Sequence, residues 1–189
     1  GLFFLSTEGS SYPIDAKGLL NKYAAYIDPA IKNYGVQRET LLKDLDGLIG
    51  DSEKTIKKLK LKETFKIKIG TLAPDGTAWI EPVRKFLIPF LNDISMGMIN
   101  IILYTGGVMG DDRDVLRKMR LGQLHGCGCT ALGVYTAAPG LSVLSLPLLF
   151  KNYEEVDYIL NGFRKEIGSI FEENGFYTFA LIDTGFFYI

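Results

Sequence analysis

Three side chains capable of holding a metal fall within the five residues HGCGC: His125, Cys127 and Cys129. A closed zinc site needs a fourth ligand, and no second CxxC or HxxxH pair supplies one. Packing in a strand is therefore the expectation, and no metal is assigned. The two cysteines stand too close for a disulfide between distant elements and are too few for a stapled scaffold. Upstream, TGGVMGDD places glycines between a strand and a helix as phosphate loops do. It lacks the GxGxxG and GxxxxGK[ST] spacings, and its two carboxylates would repel a phosphate at the helix N-terminus. With one histidine and no GxSxG elbow, a hydrolytic triad has nothing to work with. Asp111 and Asp112 could serve as acid and base, but adjacent carboxylates at a helix start read first as caps. No catalytic residue and no cofactor are assigned, and the protein is not expected to be an enzyme.

The elements that position these residues follow from periodicity. FKIKIGTLA alternates apolar and basic residues and runs into a Pro74-Asp75-Gly76 turn, which predicts a strand entering a loop. Thr77 is the expected cap of a helix over AWIEPVRKFLIPFLNDI, tolerant of Pro82 near its start and kinked or ended at Pro89. MINIILY predicts a second strand, buried on both faces. Gly106 and Gly107 turn the chain off its end, Asp111 caps the next helix, and Asp112 and Asp114 complement that helix's dipole. Val115, Leu116, Met119 and Leu124 form its apolar stripe, and Gly126 closes it. GCGCTALG and LSVLSLP predict a third and a fourth strand. NYEEVDYILNGFRKEIGSIFEENG predicts one long helix capped by Asn152, with a stripe of Val156, Leu160, Phe163, Ile167 and Ile170 and a stop at Gly175. FYTFALIDTGFFYI predicts a final strand.

Residues 1–64 read as a helical segment of unassigned role, with Leu41, Leu42, Leu45, Leu48 and Ile49 at helical spacing and Gly35, Gly47 and Gly50 as interruptions. Residues 65–189 read as an α/β unit built on a mainly parallel sheet flanked by helices. In such sheets ligands bind at the carboxyl ends of strands. Here those are the turns at residues 73–77, 105–110 and 130–133, where a pocket is expected.

Composition narrows the partners. The 189 residues carry 21 basic and 22 acidic side chains, a formal charge of -1, so no global positive field exists to hold nucleic acid. At 47% hydrophobic and 23% charged, the chain has the balance of a folded domain. Residues 121–150 carry no formal charge with His125 neutral, but Pro139, Pro147 and the glycines break the run into short pieces, against a membrane-spanning helix. No basic region followed by an apolar run and a cleavage site is legible, which leaves secretion open at this level.

Three stretches in order, IKIGTLAPDGTAW, YTGGVMGDDRDVLRKMRLGQLHG and VLSLPLLFKNYEEVDY, together resemble the periplasmic substrate-binding proteins of tripartite ATP-independent periplasmic (TRAP) transporters, the DctP-like family. The resemblance covers residues 65–189. It implies one lobe of a two-lobed clamshell that closes on a small carboxylate-bearing solute and delivers it to membrane permease subunits, with a periplasmic location. It also implies cleft-facing, ligand-binding roles for Asp75, Thr77, Trp79, Gly106, Gly107 and Thr130. The second lobe of the family, with the arginine that pairs with the solute carboxylate, has no counterpart in this sequence, and no counterpart of residues 1–64 is recognised in the family. Two other readings stay open. One is an interaction or scaffold module, in which the helical segment covers the exposed lobe face through residues 41–49. The other is a small α/β enzyme with a metal at His125, Cys127 and Cys129.

Overall fold

The computed structural model describes residues 15–59 and 63–181. The chain forms two units. The first holds the residues up to Ile69 together with Ala73–Gly106, and the second holds Gly70–Leu72 and the residues from Gly107 on.

The first unit begins with three helices, α1 (Ala16–Lys22), α2 (Ala24–Tyr34) and α3 (Arg38–Leu59). Asp15 caps α1 by accepting from the Gly18 amide at 2.5 Å, and Gly35 ends α2 in the left-handed conformation at φ 65°. Gly47 and Gly50 do not interrupt α3, which runs through both. A glycine in a helix interior costs about 1 kcal/mol against alanine, too little to break 22 residues held by a packed face. Leu19, Leu20 and Tyr23 are buried with Leu45, while Leu41, Leu42 and Ile49 pack around them. Leu48 and Leu59, although on the same helix, stay exposed.

Strand β1 (Phe65–Thr71) leads through the turn into a helix of three consecutive parts: α4 (Ile80–Pro82), a π-helical turn (Val83–Leu87) and α5 (Ile88–Ile94). Pro89 neither ends nor breaks it. The Ile88 amide bonds to the Val83 carbonyl in the wider π pattern, and this extra residue lies where the proline has no N–H to offer and its ring would press on the preceding turn. Nor is Thr77 a side-chain cap. Its backbone carbonyl accepts from the Ile80 and Glu81 amides, while its hydroxyl donates back to Pro74 O at 2.9 Å. Phe86, Phe90 and Ile94 pack on the α1–α3 core. Tyr23 meets Phe86 and Phe90 edge-on at 5.5 and 5.7 Å, and its hydroxyl donates to Asp93 at 2.5 Å beside the Lys22 ammonium at 2.6 Å. Strand β2 (Ile99–Tyr104) follows; it is half-buried with Asn100 exposed, not covered on both faces.

In the second unit, α6 (Asp112–Arg120) is capped by Asp111, whose carboxylate accepts from the Asp114 amide at 2.9 Å. Val115, Leu116 and Leu124 are buried as the stripe requires. The helix is closed by Gly122 at φ 71°, not by Gly126, which opens strand β3 (Gly126–Gly128). Gly70 lies where α6 meets the end of β1: a side-chain carbon there would stand 3.3 Å from both Val115 and Leu124. The expected third strand stops at Gly128, because Thr130 starts helix α7 (Ala131–Ala137). LSVLSLP is no strand either. Pro139 opens a 3-10 turn (Pro139–Ser145), whose three-residue period puts both Leu141 and Leu144 into the second core.

The long helix divides at Phe163 into α8 (Tyr153–Gly162) and α9 (Arg164–Glu173). Phe163 stands 46% exposed, while Leu160, Ile167, Ile170 and Phe171 pack in the core. Asn152 caps α8 from its side chain at 2.9 Å, and the Glu155 carboxylate reaches back to the Lys151 amide, one residue before the cap. Gly175 ends α9 at φ 78°. Of the expected last strand, residues 176–181 are irregular and 182–189 lie outside the described residues. The sheet is parallel, three strands in the order β2-β1-β3, flanked by helices. Among the described residues no helix is long and apolar enough to cross a membrane.

Candidate functional site

A parallel sheet sends a loop from each strand's carboxyl end, and the six expected ligand residues lie on or beside these loops. In the first unit, residues 74–76, Trp79 and the intervening Ala78 are exposed, with Trp79 at 53%. The Gly106 amide donates to Ala73 O at 2.9 Å, which brings the end of β2 against the turn that carries Asp75 and Thr77. Gly106 has φ 64°, a conformation that side chains resist, so the glycine there is a backbone requirement.

Arg84, on the π turn, ties these pieces together. Its Nε donates to Asp75 Oδ1 at 2.8 Å and its Nη2 to Thr105 Oγ1 at 3.3 Å. The bond from Arg84 holds the Asp75 carboxyl below the usual carboxylate range; desolvation opposes the shift and Thr105 adds to it. Sequence reading missed Arg84 because nine residues separate it from Asp75, a spacing that matches no regular helical neighbour. The basic side chain in a helix was the only signal.

In the second unit, the Gly107 amide donates to Thr71 O at 3.1 Å, and Gly107 stands at φ 73°. Thr130 is exposed, yet its hydroxyl donates to Asp112, and its amide lies 3.3 Å from the same oxygen. Asp112 is 2% exposed. It does more than complement the dipole of its own helix: it receives Thr130, the residue that precedes α7. Gly133 leaves room for this contact, since a side-chain carbon there would stand 2.5 Å from Cys129 Cβ and 3.0 Å from the Asp112 carboxyl carbon. Cys127 lies in β3 and both cysteines pack on the second core, where they are joined to each other in a disulfide, with Cα atoms 5.6 Å apart. Their sulfurs are thereby spent, and His125 with Cys127 and Cys129 cannot form a thiolate metal site in this state.

The sheet and its exposed turns supply the geometry, and comparison decides the kinship. The family model described as bacterial extracellular solute-binding protein, family 7 (DctP) matches residues 69–189. The chain belongs to this family. No curated protein matches it by sequence. Among solved structures, a TRAP periplasmic solute-binding protein from Ochrobactrum anthropi is 24% identical, with a TM-score of 0.53 over 60% of this chain and 35% of that one. One from Pseudomonas putida F1 with bound D-glucuronate is 21% identical, TM-score 0.52, over 57% and 35%. One from Xanthobacter autotrophicus PY2 with bound beta-D-galacturonate is 22% identical, TM-score 0.53, over 58% and 37%. At such identities the likeness is one of fold, and this family 7 chain spans little more than a third of the length of those proteins.

Proposed function

We propose that this protein supplies a solute-receiving lobe of a TRAP-type receptor. It captures a small organic acid without chemistry and hands it to membrane permease subunits in the periplasm. The observation that carries this reading is the family match over residues 69–189. The neighbours from P. putida and X. autotrophicus, with bound D-glucuronate and beta-D-galacturonate, suggest a hexuronic acid or a related sugar acid as the solute. The Cys127 and Cys129 disulfide supports an oxidising compartment outside the cytoplasm.

In the first unit, Asp75, Thr77, Trp79 and Gly106 are the proposed contacts: an acceptor and a hydroxyl for sugar hydroxyls, an indole face for the ring's C–H surface, and a backbone that lets a solute approach closely. In the second, Gly107 and Thr130 are assigned contacts on the same family likeness. The scaffold reading is less well supported, because Leu41, Leu42, Leu45 and Ile49 pack with Phe86, Phe90 and Ile94 while the 74–76 turn stays exposed.

Calorimetry and thermal-shift measurements on the full chain, with D-glucuronate, D-galacturonate, L-galactonate and their neutral parent sugars, test the proposal. Stabilisation by the acids in preference to the neutral sugars is expected. Absence of binding by every acid would falsify it.

A further inference from the structure

Arg113, Arg117 and Arg120 stand at i, i+4 and i+7 of α6, which puts them on one face of the helix. Like charges at such spacing oppose one another, and Arg113 also lies in the first turn, where the positive helix end disfavours a cation. Among the described residues only Arg117 has a carboxylate to answer it, Asp114 Oδ1 at 2.8 Å. Arg113 makes no hydrogen bond or ion pair there, and Arg120 has only the face of Phe176, whose ring centre is 5.2 Å from its guanidinium carbon. The three side chains line a cavity of about 210 Å³ between α6, α7 and the residue Phe176 that follows α9. Leu116, which is buried, and Phe176, packed on the second core, give it apolar walls, and Thr136 of α7 completes it. The Thr136 hydroxyl donates to Leu132 O at 2.7 Å, so what it has left to offer is a lone pair. None of the six proposed solute contacts lines this cavity.

From this we infer that the cavity on α6 is an anion site of the second unit that takes a phosphomonoester group. A carboxylate offers two oxygens on one edge and satisfies one guanidinium fork, whereas a phosphomonoester offers three oxygens and a charge of about -1.5 to -2 at neutral pH. Three guanidiniums less the Asp114 carboxylate leave two positive charges in the lining, which such a group balances. The volume lies under the roughly 300 Å³ at which ordinary small-molecule pockets begin, so one compact head group fits and a larger organic body would project outward. Concavity also disfavours a flat acidic protein surface as the occupant. Phe176 pins Arg120 through the cation–π contact and leaves the N–H edges of that guanidinium for the phosphate oxygens. The inference does not rest on the solute-binding reading above.

The test is calorimetry on the full chain with glycerol 3-phosphate, inorganic phosphate, acetate and D-galacturonate, at constant ionic strength so that screening is the same throughout. Binding of both phosphates in preference to acetate is expected. Arg113→Gln and Arg120→Gln should each weaken glycerol 3-phosphate binding by at least about tenfold. Arg164→Gln, which removes an exposed charge of α9 outside the cavity, should leave it unchanged. Without ligand, Arg113→Gln should melt no lower than the parent chain, because the charge it removes has no partner to lose; its weaker binding then reports the site and not misfolding. Flotation with phosphatidylcholine vesicles that contain phosphatidic acid separates two sources of the group. Retention that Arg113→Gln abolishes supports a lipid head group, and glycerol 3-phosphate binding without retention supports a free phosphomonoester. If neither phosphate binds more tightly than acetate, or if Arg164→Gln weakens binding as much as the cavity variants do, the inference is overturned. Displacement of galacturonate by glycerol 3-phosphate would also overturn it, and would leave the solute-binding reading standing.

Discussion

Asp112 occupies the first turn of α6, where an acidic side chain ordinarily faces water and offsets the positive helix end. Instead it is buried and accepts from both the hydroxyl and the amide of Thr130. Alanine at this position takes away the acceptor of both bonds. Asp112→Ala is therefore expected to cost about 1–3 kcal/mol in urea unfolding, whereas Asp111→Ala, which removes a helix cap, costs about 1 kcal/mol. The cap at Asp111 was legible because capping is a contact over three residues. The Thr130 contact crosses 18 residues, and nothing in the local pattern distinguishes Asp112 from an ordinary first-turn acid. A second prediction concerns Tyr23 and Lys22, which share Asp93. Burial, then the bond to Asp93, raises the tyrosine pKa; the bond to Asp93, against desolvation, raises that of the lysine. A raised pKa stabilises the fold fully below the unfolded value, about 10 for both groups, and that contribution is lost as pH climbs through the folded value. The melting temperature should accordingly fall above pH 10, and Tyr23→Phe should remove the tyrosine part of that fall. Asp75 runs the opposite way: its lowered pKa adds stability above about pH 4 that disappears on acidification through the folded value.

At the scale of elements, β1, β2, α6 and the start of α8 were legible because each is written in local periodicity and a cap. The two misread strands share one cause: apolar runs without charge. LSVLSLP and the end of GCGCTALG are hydrophobic enough for strands, but a short run does not say which period it follows. Pro139 and the i, i+3 pair Leu141 and Leu144 favoured a 3-10 turn once a core existed to receive them. Glycine placement gives a direct measurement on α3. Gly47 and Gly50 have open space where a side-chain carbon would go, so Gly47→Ala and Gly50→Ala should each stabilise by about 0.5–1 kcal/mol in chemical denaturation. Gly110→Ala should do the reverse: its φ is 94° and the new carbon would stand 2.5 Å from Asp114 Cβ. The π turn at Val83–Leu87 bears on Arg84 in a similar way. Each residue advances a helix by about 100°, so deleting one here would rotate Arg84 relative to Phe86 and Phe90. Either the hold on Asp75 or the seat against Tyr23 would be lost.

For the whole molecule, the sequence supplied the fold class and the kinship, since three ordered motifs survive at low identity. It did not supply the role of the leading helices. Their apolar spacing was visible, but the surface they cover is made by Phe86, Phe90 and Ile94, far along the chain and spread over one helix face. Leu20 is fully buried in this core, so Leu20→Ala is expected to cost about 2–5 kcal/mol in urea unfolding. A shortened clone that begins at β1 and keeps only the family-matched portion would strip the same aromatic face bare. Sticky, poorly soluble protein would then be the outcome, and a failed titration on such a clone would reflect lost cover rather than a lack of affinity.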